Sequence, residues 1–527
     1  MSLAERARSS IASALEGLAR AGELGEQGAR ALEGAAWAVE RPKRADHGDL
    51  ATNVAMALTK RVGQPPRAIA EALVRALVGS DVIRSAEIAG PGFVNLRLHA
   101  SAFHAELMEI LRGGVAWGRA PAATGERVNL EFVSANPTGP VTVASGRNAV
   151  YGDTVGRLLE AAGARVTREY YINDRGNQVR MFAESVRAAA AGREPPEDGY
   201  KGAYVGELAK WFEKRRPERL TGDVEALGRE CVTWMLRGIP GSATLPGIRP
   251  SLAALRVNFD VWFSEESLHR WGAVEAVMAE LQARGCLERK DGALFFKAPE
   301  GAIEDKDRVV QKSDGTWAYF ASDVAYFADK VARGYDRLMI VLGADHHGYV
   351  ARVRNSLVAL GLPEERFEAL LYQLVFITKG GVTVGIESRV HPDGLKPDDW
   401  AKLAHPDELA MAHRLGDFPD VLSEAARQRE PHRIVFYVQE LARDFQSYFT
   451  RLKGEKGPIL PPAPLRAEPG WEKRWDFAKT RARLAWIEAL RIVYSNALSL
   501  IGVSAPERMD QAELGEQGPM EAEGEDL

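Results

Sequence analysis

The sequence predicts an α/β protein in three parts: a small N-terminal α/β module, a central doubly wound parallel sheet, and a C-terminal α-helical bundle. Three observations support this reading. Residues 127–171 run as apolar strand, polar turn, helix and second apolar strand, the order of a crossover unit in an open parallel sheet. Further apolar strands follow at 337–342 and 368–377, with helical patterns between them. The last third carries apolar residues at helical spacing: Ile434, Val435, Val438, Leu441, Phe445, Tyr448 and Phe449, then Leu484, Ile487, Leu490, Val493, Leu498 and Leu500.

With 527 residues the chain has room for two to four domains and an ample core. Hydrophobic residues make up 46% and charged residues 27%, which places it among ordinary globular proteins. No apolar run approaches the ~20 residues of a membrane helix. The first residues, Met-Ser-Leu-Ala-Glu-Arg-Ala-Arg, hold no apolar export core. Neither a membrane partner nor export is therefore expected. Cys231 and Cys286 lack metal-ligand spacing, so two small buried side chains in a reduced, cytoplasmic setting are expected. A net charge of −5 neither favours nor excludes an RNA partner, because large RNA-binding enzymes concentrate basic residues locally.

In chain order, residues 1–112 form the small module, with helical patterns at 3–20, 48–61 and 66–78. Its short strands at 83–89 and 92–98 are split by Gly90-Pro91-Gly92. A Gly/Ala/Pro-rich linker covers 113–126, and the α/β body covers 127–400. The first body strand alternates Val128, Leu130 and Phe132 with Asn129, Glu131 and Val133. Asn136-Pro137-Thr138-Gly139-Pro140 breaks both ladder and helix. The next helix places Val150, Val155, Leu158 and Leu159 on one side, and a strand at 166–171 follows. Ligands of such sheets lie beyond the carboxyl ends of the strands, near a helix N-terminus. Glu131, Ser134, Asn136 and the turn as far as Ser145 should therefore border a pocket. Then come a helix through Val179, Met181, Phe182 and Val186, helices over 202–238, and an insertion with a helix at 271–284 and a strand at 293–297. The chain is expected to return to the sheet at 317–323, which makes Glu131 and Asp323 two anions at strand ends. Residues 401–509 form the helical bundle, and 510–527 an acidic tail expected to be disordered.

Three segments carry a resemblance: Ser134-Ala135-Asn136-Pro137-Thr138-Gly139-Pro140, the helical Gly146-Arg147-Asn148-Ala149-Val150-Tyr151-Gly152-Asp153, and Arg-Glu-Tyr-Tyr-Ile-Asn-Asp at 168–174. Together they resemble arginyl-tRNA synthetase, a class I aminoacyl-tRNA synthetase with a Rossmann-like body. Glu40 to Asn53 and Ala-Gly-Pro-Gly-Phe-Val-Asn at 89–95 resemble the family's N-terminal additional domain, which contacts the tRNA elbow. That likeness turns Arg41, Lys43 and Arg44 from a solvated loop into phosphate contacts. The end of the chain resembles the family's helical anticodon-binding domain, and the resemblance implies arginine and tRNA(Arg) as partners of a monomer. The implied arginine pocket is Glu131, Ser134, Asn136, Tyr319 and Asp323, with Gly343, Asp345 and His346 on the ATP side. Carboxylates suit a planar cation with five donors. The pair His346-His347 has no third ligand spaced to join it, so no metal site is expected.

Both class signatures depart from the family. Where the family has His-(Val/Ile)-Gly-His, this chain reads Thr142-Val143-Ala144-Ser145. Where the family has Lys-Met-Ser-Lys-Arg, it reads Gly385-Ile386-Glu387-Ser388-Arg389. Thr142, Ser145, Ser388 and Arg389 thus occupy the catalytic positions, and Lys379, Lys312 and Arg389 are the candidate substitute cations, with no spacing that places them at the site. After Arg389 the chain reaches the bundle several helices early. The family reaction is ATP-dependent activation of arginine, with Mg, and transfer to tRNA(Arg), with no tightly bound cofactor. Loss of both signatures predicts impaired or absent adenylation. The alternative is a catalytically degenerate synthetase paralogue that binds arginine, tRNA or both in a regulatory or accessory role. A non-catalytic scaffold is the third reading, disfavoured by the retained pocket.

Overall fold

The structure, a computed structural model, describes residues 2–25, 28–42, 44–120, 125–297, 307–343, 347–372, 395–451, 457–468 and 470–504. The chain divides into two compact units, residues 120–380 with 426–431, and residues 1–119 with 381–425 and 432–527.

The first unit is built on five parallel strands, β1 (Arg127–Glu131), β2 (Arg165–Ile172), β3 (Val261–Ser264), β4 (Arg337–Gly343) and β5 (Phe367–Tyr372), in the order β5-β4-β1-β2-β3. Val128 to Glu131 are buried in succession, as expected where helices cover both faces of a sheet. Alternate residues feed two cores. Val128, Leu130, Tyr170, Met339 and Val341 join Val155 and Leu159 of helix α1 (Val143–Ala161). Leu338 and Ile340 join Phe320, Val324 and Phe327 of helix α2 (Tyr319–Ala332). The strand order reverses between β1 and β4, so the crevice at their carboxyl ends is the switch point where open sheets take ligands. Gly152 lets α1 approach that end: a side chain there would collide with the Phe132 ring.

Three details differ from the sequence expectation. Residues 317–323 do not form a strand; Trp317 makes a single bridge to Gln311, and α2 begins at Tyr319. Phe320, Val324 and Phe327 recur at helical spacing, and that period prevails. Val150 faces outward, 46% exposed, opposite Val155, Leu158 and Leu159. Cys231 is buried, but Cys286 is only half-buried. The helical stretch 202–238 resolves into Ala203–Arg215, Pro217–Thr221 and Val224–Arg237, and a core including Phe182, Phe212 and Met235 packs it.

The second unit opens with an antiparallel sheet in the order Val39–Glu40, Leu50–Thr52, Phe93–Leu98, Ile83–Ala89. The helix expected over 48–61 starts only at Val54, because Leu50 and Thr52 pair with Leu96 and Val94. Arg44 pairs with Asp46, and Arg41 with Asp417 at 3.3 Å; Lys43 lies outside the described residues. Helix Ala100–Gly113 packs against Pro406–Gly416 and Phe477–Leu500. Deep among these C-terminal helices, the Glu408 carboxylate accepts from Arg483 (2.8 Å) and from the Tyr448 hydroxyl (2.7 Å). Among the described residues no helix is long and apolar enough to cross a membrane. The acidic tail at 510–527 lies outside the described residues.

Candidate functional site

The chain bends sharply where β1 ends. Val133 and Ser134 take φ of 66° and 39°, the left-handed region that a β-branched residue rarely enters. Hydrogen bonds fix this bend. The Val133 N–H donates to Asn148 Oδ1 (2.7 Å), and the Tyr170 hydroxyl donates to the Ala135 carbonyl (2.8 Å). Ser134 Oγ accepts the Tyr171 N–H (3.1 Å) and donates to Glu131 Oε1 (2.9 Å). Further along, the Tyr204 hydroxyl donates to the Thr138 carbonyl (2.9 Å).

Helix α2 carries Tyr319, Asp323 and Lys330 four and seven residues apart, so one helix face presents them. Lys330 is fully buried, and its ammonium donates to Glu131 Oε2 at 2.6 Å. The same ammonium lies over the rings of Tyr326 (4.2 Å) and Phe327 (4.9 Å). Glu131 thus meets an internal cation on one oxygen and a hydroxyl on the other.

Two further carboxyls, Asp323 and Glu265, act on each other. Burial pushes Asp323 up to about 7, helped by the charges of Glu265 and Glu131 and opposed by Arg352. Glu265 opens the helix Glu265–Arg270 directly after β3 and is 3% exposed. Burial, then the nearby Asp174, push it up to about 7 as well, and its Oε2 has no hydrogen-bond partner. The Tyr171 and Tyr349 hydroxyls are held well above their ordinary range by burial beside these acids. Among the described residues no group of three such side chains is close enough to grip a metal ion. The site gathers three carboxyls, Glu131 and Glu265 buried and Asp323 half-buried, a setting suited to an extended organic cation.

Of the residues chosen from sequence, Glu131, Ser134 and Asp323 share this electrostatic cluster. Tyr319 is 64% exposed and stands by Gly176, whose added side chain would meet its hydroxyl at 3.2 Å. Asn136 is exposed on the turn, and Gly343 ends β4 in register with Tyr372. Asp323 stands on a helix, not at a strand end. Thr142 and Ser145 satisfy each other: Thr142 Oγ1 accepts the Ser145 N–H (3.2 Å) and lies 3.1 Å from Ser145 Oγ. Thr142 is thereby the N-cap of α1. Asp345, His346, Lys379, Ser388 and Arg389 lie outside the described residues.

Sequence reasoning missed Glu265, Lys330 and Asn148. Glu265 sits in Ser264-Glu265-Glu266, which reads as an ordinary helix start. Lys330 follows Tyr319 by eleven residues, a helical repeat that a strand assignment concealed.

Two family profiles match the chain: Arginyl tRNA synthetase N terminal domain over residues 5–98, and DALR anticodon binding domain over residues 386–509. Among solved structures, Thermus thermophilus arginyl-tRNA synthetase matches with a TM-score of 0.63 at 21% identity, covering 96% of this chain and 100% of that one. Arginyl-tRNA synthetase from Plasmodium falciparum matches with a TM-score of 0.66 at 12% identity, covering 97% of this chain and 99% of that one. At such identities these two matches establish the fold. A parallel sheet whose strand order reverses between β1 and β4, with a helical C-terminal region, is consistent with the class I synthetase layout of these matches. The two profiles flank the sheet in sequence, and together with these folds they support an arginyl-tRNA synthetase family protein.

Proposed function

We propose that this protein binds arginine at the switch point of its sheet, and tRNA through its flanking domains, while its capacity to adenylate arginine is lost or severely reduced. The observation that carries this reading is the gathering of Asp323 and the buried Glu265 beside the buried Glu131, three acids whose charges act on one another. Anions held out of water attract a ligand that replaces the lost hydration, and arginine offers a guanidinium and an α-ammonium on one flexible stem. The two flanking family profiles support a tRNA partner.

The phosphate side lacks the charge this chemistry needs. Adenylation builds negative charge on phosphoryl oxygens, which donors and cations must stabilise. At the N-terminus of α1 stand two hydroxyls bonded to each other, where the family has two histidines. In the second signature position stands Glu387, where the family has a lysine. Losing one oxyanion donor costs about 3–4 kcal/mol in a comparable site. Losing several compounds that loss, although not additively.

The test is arginine-dependent ATP–pyrophosphate exchange with and without tRNA, beside arginine titration by calorimetry. Arginine binding without exchange is the expected result. Exchange in the presence of tRNA would show a working ligase and overturn the degenerate reading. Absence of arginine binding would overturn the pocket assignment.

A further inference from the structure

We infer that Asn148 is a positioning residue for the pocket: its side-chain amide holds the left-handed bend that aims Glu131 and Ser134. The inference rests on the arginine-binding reading for its ligand and on geometry for everything else.

Asn148 lies on α1 and is 6% exposed, and both ends of its amide are used. Oδ1 accepts the N–H of Val133 (2.7 Å), and Nδ2 donates to the Val341 carbonyl on β4 (3.2 Å). One side chain thereby ties three elements of the switch point: the helix, the end of β1 and the end of β4. One turn further along, Gly152 admits Phe132 against the same helix face. The bend itself runs against local preference, since valine at φ 66° is crowded and persists only when its surroundings impose it. An extended Val133 would move the next residue. Ser134 is the group that bonds Glu131 on one side and the Tyr171 N–H on the other. Among the described residues the hydrogen bonds of the Asn148 amide go to backbone and not to the acids, so it acts through the backbone that carries them.

The test compares Asn148→Ala, Asn148→Asp, Val133→Gly and the double variant Asn148→Ala/Val133→Gly. The readouts are arginine affinity by calorimetry, thermal unfolding, and amide hydrogen exchange over residues 131–136. Asn148→Ala should weaken arginine binding on the order of tenfold and speed exchange at Val133 and Ser134. Asn148→Asp keeps an acceptor for the Val133 N–H but loses the donor to the Val341 carbonyl, so it should recover part of the affinity. Val133→Gly should recover affinity in the Asn148→Ala background, because glycine adopts the left-handed bend without crowding. A side chain that merely fills space would not be rescued in that way. If Asn148→Ala does not fold, Asn148→Leu keeps the volume, removes the amide and serves the same comparison. Unchanged affinity in Asn148→Ala, or no rescue by glycine, overturns the inference. If the unaltered protein does not bind arginine, exchange decides. Faster exchange in Asn148→Ala, restored by Asn148→Asp, upholds the positioning role and places the failure in the ligand assignment. Unchanged exchange overturns the role itself.

Discussion

Arginine binding to this protein should be proton-linked, and the perturbation that exposes it is a shift from pH 8 to pH 6. Asp323 and Glu265 are each pushed up to about 7, chiefly by burial. At pH 8 a group at that position is about 90% ionised, and at pH 6 about 10%. A cationic ligand that pairs only with the ionised form loses about tenfold in affinity across this interval for one carboxyl. For two the loss is about a hundredfold, near 2.7 kcal/mol. The two acids interact, so they titrate as a pair. The assay is calorimetry at pH 6, 7 and 8, repeated at pH 7 in buffers of different ionisation enthalpy to count released protons. The sign is fixed for stability too. The folded chain holds these protons above the range where the unfolded chain releases them, roughly pH 4. The free protein therefore loses stability as pH rises from about 4 to 7, and arginine should raise the melting temperature more at pH 8 than at pH 6. A flat affinity between pH 6 and 8 with no proton release would refute the idea that these carboxyls face the ligand.

Lys330→Met should destabilise the protein by about 3–5 kcal/mol in denaturant titration, because it strands the buried Glu131 carboxylate. The double variant Glu131→Gln/Lys330→Met should lie much closer to the parent in the same titration. Arg483→Met should cost a similar amount, about 3–5 kcal/mol, by stranding Glu408, and it should broaden or lower the unfolding transition of the C-terminal helices. Glu106 is fully buried and pushed up to about 8, chiefly by burial, and neither of its oxygens has a hydrogen-bond partner. Its folded value lies above the unfolded one, so stability should fall from about pH 5 to pH 8. Glu106→Gln should abolish that fall, leaving the variant on the order of 2–4 kcal/mol more stable at pH 8.

The crossover unit was legible in the sequence because an alternating strand, a turn broken by two prolines and a helix each obey a different local rule. Glu131, Ser134 and Asp323 were singled out by the family resemblance of the motifs around them, and the structure brings these three into one electrostatic cluster. What the sequence hid was partnership. Nothing local in Lys330 says that it will lie 2.6 Å from a residue 199 positions earlier. Glu265 looked like a helix-start acid because that is also what it is, and only the fold turns it inward. Thr142 and Ser145 read as the remains of a signature, yet physically they form a helix cap, a role that any Thr-x-x-Ser could fill. Residues 317–323 are too short a window to show the helical period of Phe320, Val324 and Phe327, which emerges only when the stretch is extended to Phe327.

The ion pair beneath the pocket has a consequence for inheritance. Glu131 and Lys330 are each tolerable in the interior only because of the other, so neither position can drift alone. A relative that has exchanged the lysine for an uncharged residue should have given up the glutamate in the same lineage, with an apolar or amide pair in their place. The two positions should therefore change together or not at all, a correlated history written into columns far apart in the chain.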